Sequence, residues 1–284
     1  MKELDIKGLD TKESIDEILR YVSGYKKRYF ITIAGIVFIW LVINVYMLRL
    51  DYLVAYLRAY FFENVGTLLL CILFFTNIKI SREKKIYPKL YSILTDECNP
   101  QRFIEVVDEL RKVAPFKKTF DSKIGTVYIA ACHYDEDYDK ALGTIEMLRN
   151  SRKNDAGDMV TCTLFEGVIL AKTGKIEEAK KCLNELKEML GSDTGSSKIT
   201  NLEAAIAYAQ KDYEKAASLY GSMIEGAGND ISKISLNYSC GNAEYEQGKY
   251  EEAKIHYHAA LEVNKIAKLK LMVDLKEKYG NIVS

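Results

Sequence analysis

The chain has 284 residues with 40 basic and 40 acidic side chains, so its formal net charge is zero. That balance argues against a nucleic-acid binder, whose affinity rests on a surplus of Lys and Arg over the phosphates. The cysteines stand singly at positions 71, 98, 132, 162, 182 and 240 without a CxxC pair, which suits a reducing cytoplasm rather than a disulfide scaffold.

Residues 1–27 read as a short cytoplasmic N-terminal segment, in which Thr11 could cap a helix carrying Ile15, Ile18, Leu19 and Val22 on one face. Residues 28–82 read as a transmembrane helical hairpin with spans over about 29–49 and 60–80. The first apolar run, Phe30 to Leu48, contains no charge and has the length a bilayer crossing needs, about 20 residues. The second, Thr67 to Phe75, reaches that length only through its flanks, with Glu63 at the outer end and Tyr60, Phe61 and Phe62 in the aromatic belt.

Lys26, Lys27 and Arg28 precede the first run, and Lys79, Arg82, Lys84, Lys85 and Lys89 follow the second. Cations are retained inside, so the expectation is a two-span protein of the cell membrane with both termini and the following domain cytoplasmic. The lipid bilayer is then a partner, and Asn44, Glu63 and Asn64 could bond to other spans.

Residues 83–284 show the helical period and no convincing alternating strand, so the fold class is all-α. Long loops are predicted at Asn150 to Gly157, Gly191 to Ser197 and Gly226 to Asp230. Tighter breaks fall between them, at Asp135 to Asp137, Thr173 to Lys175, Gln210 to Asp212 and Gln247 to Lys249. Aligned on those breaks, Ala141, Ala179, Ala216 and Ala253 recur at intervals of 38, 37 and 37 residues. A bulky residue stands three before each (Tyr138, Ile176, Tyr213, Tyr250) and four after (Ile145, Leu183, Tyr220, Tyr257). Small residues between large ones let two helices approach closely.

This pattern resembles the tetratricopeptide repeat (TPR) family, whose helix-turn-helix unit has a period of about 34 residues. Gly241, Gly248, Tyr250, Ala253, Tyr257, Ala260 and Leu261 carry the best match, followed by Gly167, Gly174 and Ala179, with Ala204 at the small site of the third unit. The family's tryptophan and closing proline are missing, and Ile129 replaces the small residue of the first unit. The resemblance covers Lys123 to Leu261 and implies an α-solenoid of about four repeats. A degenerate leading unit is expected through Phe103, Val106 and Leu110, centred on Val106 at 35 positions before Ala141, and Lys265 to Tyr279 is expected as a capping helix.

No HExxH, GxSxG, GxxxxGK[ST] or helix-opening GxGxxG motif occurs, so no enzyme, cofactor or small-molecule substrate is expected. His256 and His258 are two apart and diverge, which disfavours them as a metal pair. The acidic cluster Asp135, Glu136, Asp137 and Asp139 lacks EF-hand spacing and reads as a solvated turn. Cys132 beside His133 reads as a core position rather than as a nucleophile with its base.

In the TPR family, first helices line a concave face that accepts an extended peptide or a helix. The motif alignment puts His133, Tyr134, Asn201, Tyr208, Tyr238, Asn242 and Tyr245 on or near that face. The Lys and Asn set by which some members hold a carboxylate is not evident. The apolar runs and the resemblance together give the expectation of a membrane-anchored protein-protein interaction scaffold that recruits or assembles a protein or peptide partner at the cytoplasmic membrane face, with a peptide-sensing or docking subunit of a membrane complex as the alternative.

Overall fold

The computed structural model describes residues 4–48, 66, 69–70, 72–74, 76–78, 80–113, 122–151, 155–191 and 196–283. The described residues are helical with no strand among them, and the chain divides into two compact units, Met1–Lys89 and Leu90–Ser284.

In the first unit, helix α1 spans Thr11–Leu48. Its cap is Asp10 rather than Thr11: Asp10 Oδ1 accepts the Glu13 N–H at 2.7 Å, and Glu13 Oε2 accepts the Asp10 N–H at 3.3 Å. This reciprocal pair satisfies two backbone donors at once. Leu4, Ile6, Ser14 and Ile18 are buried. The residues Arg82–Ile86 form a π-helical turn.

The two-span anchor is overturned. Among the described residues, no helix is long and apolar enough to cross a membrane. Helix α1 is continuous through Lys12, Glu13, Asp16, Glu17, Arg20, Lys26 and Lys27, so its apolar run is the continuation of a charged helix and not a separate element. The second span was assembled from a short run by adding polar flanks, and residues 49–65, which hold Glu63, Asn64 and the aromatic belt, lie outside the described residues, as does the side chain of Asn44. The cell-membrane location, the bilayer as partner and the orientation drawn from flanking cations go with it.

The second unit contains α2 (Tyr87–Thr95, which begins just before it), α3 (Pro100–Lys112), α4 (Ser122–Tyr134), α5 (Tyr138–Arg149), α6 (Ala156–Lys172) and α7 (Ile176–Leu190). It continues with α8 (Ser197–Ala209), α9 (Tyr213–Ile224), α10 (Asp230–Glu246), α11 (Tyr250–Val263) and α12 (Leu271–Val283). From α3 onward each helix packs on the next one; α4 and α8 also pack on α6, and α10 on α12. Stacked helical pairs of this kind are consistent with an α-solenoid.

The inner turns are built alike. Cys98, Glu136, Gly174, Lys211 and Gly248 have φ of 46°, 58°, 80°, 65° and 76°, at intervals of 38, 38, 37 and 37 residues. In the last four, the N–H of the left-handed residue and that of its successor turn back onto the preceding helix, as in Gly248 N–H to Tyr245 O at 2.9 Å and Lys249 N–H to Glu244 O at 3.0 Å. This is the Schellman arrangement, which pairs carbonyls that a helix end leaves free. The successor then starts the next helix: Asp137 and Asp212 accept the N–H groups of Lys140 and Lys215 at 3.1 and 3.2 Å. The acidic cluster thus belongs to a capped turn.

Five residues after each turn residue lie Phe103, Ala141, Ala179, Ala216 and Ala253, all fully buried. The leading pair is therefore centred on Phe103, three residues from the Val106 that pattern alignment selects. Gly241 lies under the ring of Tyr257, where an added Cβ would come within 2.6 Å of Cε1.

The predicted capping helix begins later than expected, because residues 264–270 are not helical. Instead they return to the start of the unit. Lys268 N–H donates to Cys98 O at 2.9 Å, Asn264 Nδ2 to Asp96 O at 3.0 Å, and Lys270 Nζ pairs with Asp135 Oδ2 at 3.3 Å. The end of the array thereby touches the turns of its first two pairs.

Candidate binding groove

The first helices α4, α6, α8 and α10 present two cavities that share Lys172, Tyr220 and Ser239. One, of about 240 Å³, is lined by His133, Tyr134, Phe165, Lys198, Asn201 and Ser232 among others. The second, of about 360 Å³, is lined by Ala205, Tyr208, Lys211, Tyr213, Tyr238 and Asn242 among others. Six of the seven residues singled out in the sequence therefore line one or other of two adjoining cavities, and Tyr245 does not.

His133 occupies the last turn of α4 and is 7 % exposed. Its ring sits 5.4 Å from that of Phe165 and 5.5 Å from that of Tyr134, while Nδ1 is buried without a hydrogen-bond partner. Burial, reinforced by the ammonium of Lys172, holds its pKa well below the ordinary histidine value, so the ring is neutral at pH 7. Tyr134 shares a hydrogen bond with Ser232, and burial raises its pKa.

Lys172, at the end of α6, is accessible to solvent and lines both cavities, with protein atoms around it. The resulting desolvation lowers its pKa, opposed by Glu136. Pattern alignment missed this residue although it stands at the same register as Tyr134, seven before the repeated alanine; ranking aromatics and amides above cations hid it.

Tyr208, Tyr238 and Tyr245 are not equivalent. Tyr208 packs edge-on against Tyr213 with ring centroids 5.3 Å apart, and burial pushes its hydroxyl up to about 12. Tyr245 makes the same contact with Tyr250 at 5.2 Å, away from both cavities. Each pair joins the last turn of a first helix to the first residue of its partner helix, and His133 with Tyr138 occupies the same register. Tyr238 donates its hydroxyl to Asp274 of α12. Asn242 is 8 % exposed; its Oδ1 accepts from Tyr257 Oη at 2.7 Å and from Lys278 Nζ at 3.0 Å. Helix α12 thus bonds the Tyr238 and Asn242 end of the face.

Cys132 is buried, and loss of solvation with Asp137 nearby pushes its thiol up to about 12, which suits a core residue and not a nucleophile. Cys98, Cys162, Cys182 and Cys240 are likewise buried free thiols. His256 and His258 diverge as expected: the first bonds Asn237 of α10 at 3.0 Å, and the second packs near Tyr279 at 6.1 Å.

No family model matches the sequence. Among solved structures the chain is similar to BtubC (BKLC) from P. vanneervenii, at 14 % identity with a TM-score of 0.40, over 66 % of this chain and 81 % of that one. At that level the likeness carries no functional argument.

Proposed function

We propose that the chain is a non-enzymatic protein-interaction module of TPR-like build, which holds an extended peptide or a helix of a protein partner along α4, α6, α8 and α10. The observation that carries this reading is the pair of adjoining cavities sharing Lys172, Tyr220 and Ser239. Cavities of about 240 and 360 Å³ suit successive side chains of a bound segment. Lys172, Lys198 and the hydroxyls of Ser232, Ser235 and Ser239 supply donors for its backbone carbonyls, and Tyr208 and Tyr238 supply rigid aromatic surface. The buried Nδ1 of His133 adds a polar atom without an internal partner at the edge of the first cavity.

The test is selection of peptides from a random displayed library on the immobilised chain, followed by affinity measurement by fluorescence anisotropy. Ser239→Trp fills both cavities and should weaken selected peptides at least tenfold, whereas Ser222→Trp, on an exposed site of α9, should not. Failure to enrich any sequence, or peptides indifferent to Ser239→Trp, would sink the reading.

A further inference from the structure

Outside both cavities, Cys240 and Glu244 stand one turn apart on α10 and His256 faces them from α11. One ligand-capable atom of each lies within 4.8 Å of the others.

The hydrogen bonds around His256 settle its tautomer. The Nδ2 group of Asn237 donates to Lys233 O at 2.9 Å, which turns Oδ1 toward His256 Nδ1, 3.0 Å away. A carbonyl oxygen can only accept, so Nδ1 carries the hydrogen and Nε2 is left with its lone pair. That lone pair faces Glu244 Oε1 at 3.6 Å, too long for a hydrogen bond. The other carboxylate oxygen, Oε2, is buried with no partner. Two acceptors therefore confront each other across a gap, beside a third potential donor of electrons, the sulfur of Cys240.

That gap has the dimensions of a metal site. Nitrogen and oxygen ligands about 2.0–2.2 Å from a tetrahedral ion stand about 3.4 Å from each other, close to the separation of His256 Nε2 and Glu244 Oε1. Asn237 holds the imidazole from behind, as the outer partner of a metal-bound histidine does. We propose that Cys240, Glu244 and His256 form a binding site for a single Zn²⁺-like divalent ion, which clamps α10 to α11. The mixture of sulfur, nitrogen and oxygen selects a borderline-soft ion and disfavours Ca²⁺ and Mg²⁺, which take oxygen ligands. Binding replaces the thiol hydrogen of Cys240, now donated to Ala217 O at 3.4 Å, and releases that proton to solvent.

The experiment uses the full chain stripped with a chelator and titrated with ZnCl₂ by calorimetry, and with CoCl₂ by absorption. One equivalent of Zn²⁺ should bind with a Kd of about 1 µM or tighter, and Co²⁺ should show a thiolate-to-metal charge-transfer band. His256→Gln and Glu244→Gln, which keep size and polarity, should each weaken binding at least tenfold, and Cys240→Ser should remove the band. Asn237→Leu should weaken binding about 10–100-fold. A wild-type chain that takes up no Zn²⁺, as expected if Glu244 and His256 merely share a proton, overturns the proposal. Uptake unchanged by His256→Gln and Glu244→Gln also overturns it, by placing the ion elsewhere.

Discussion

The hydroxyl of Tyr257 donates to Asn242 Oδ1 at 2.7 Å, tying α11 to the face of α10 that borders the larger cavity. Tyr257→Phe removes this donor while keeping the ring. Asn242 Oδ1 retains Lys278 Nζ at 3.0 Å, so the expected loss is about 1 kcal/mol. Thermal denaturation should register it as a fall in Tm of about 2–4 °C.

The same ring makes Gly241 irreplaceable. A Cβ there would meet Tyr257 Cε1 at 2.6 Å and the backbone oxygen of Ala253 at 3.2 Å, whereas one on Gly143 would meet nothing within 4 Å. Gly241→Ala should therefore destabilise by about 1–3 kcal/mol through overpacking. Gly143→Ala, in the exposed interior of α5, should stabilise by about 0.5–1 kcal/mol through helix propensity. Ala253→Leu belongs with the first class, since Ala253 is fully buried. Urea unfolding of the three variants reads the order directly.

Left-handed turn residues offer the reverse case. Lys211 has φ of 65° where the sister turns use Gly174 and Gly248. A side chain in that region costs about 1 kcal/mol, so Lys211→Gly should raise stability by about 0.5–1 kcal/mol after the added flexibility of the unfolded chain is offset. A Tm below that of the parent would show that the Lys211 side chain makes a compensating contact.

Stability should fall on acidification through the buried histidine. Burial and Lys172 depress the folded-state pKa of His133, so below the unfolded value of about 6.5 the unfolded chain binds the extra proton. The contribution is present above about pH 6.5 and declines below it by at most about 1.4 kcal/mol per pH unit. Burial shifts His256 the same way. Denaturant midpoints between pH 7.5 and 5.5 should therefore slope downward, and His133→Phe should flatten part of that slope. An equal slope in the variant would place the effect on other groups.

Much of the second unit was legible in the sequence. The inner breaks at 135–137, 173–175, 210–212 and 247–249 fall where composition placed them, since each turn needs a left-handed residue or a cap; of the longer loops, 226–229 lies between helices as composition placed it, while 152–154 and 192–195 lie outside the described residues. The repeated alanines were readable because close helix approach leaves little room for anything larger. The leading pair was misregistered by three residues because Phe103, not a small residue, fills its central position, and only the positive φ of Cys98 reveals the shared period. Among the candidate groove residues, spacing puts Tyr245 on a first helix as it does Tyr208, but spacing does not show that Tyr208 lines a cavity and Tyr245 lines neither of the two.

What the sequence by itself determined is local: helix type, turn positions, the small residues at close contacts and the absence of familiar catalytic motifs, all encoded by neighbours a few residues apart. The overturned anchor marks the limit of that reading, because an apolar run reports composition and not the helix that contains it. Tertiary structure alone decided which side chains meet. Lys268 reaches Cys98, Asn237 orients His256 toward Glu244, and Lys172 joins two cavities, because the packing of helices on one another brings together residues that no spacing rule links.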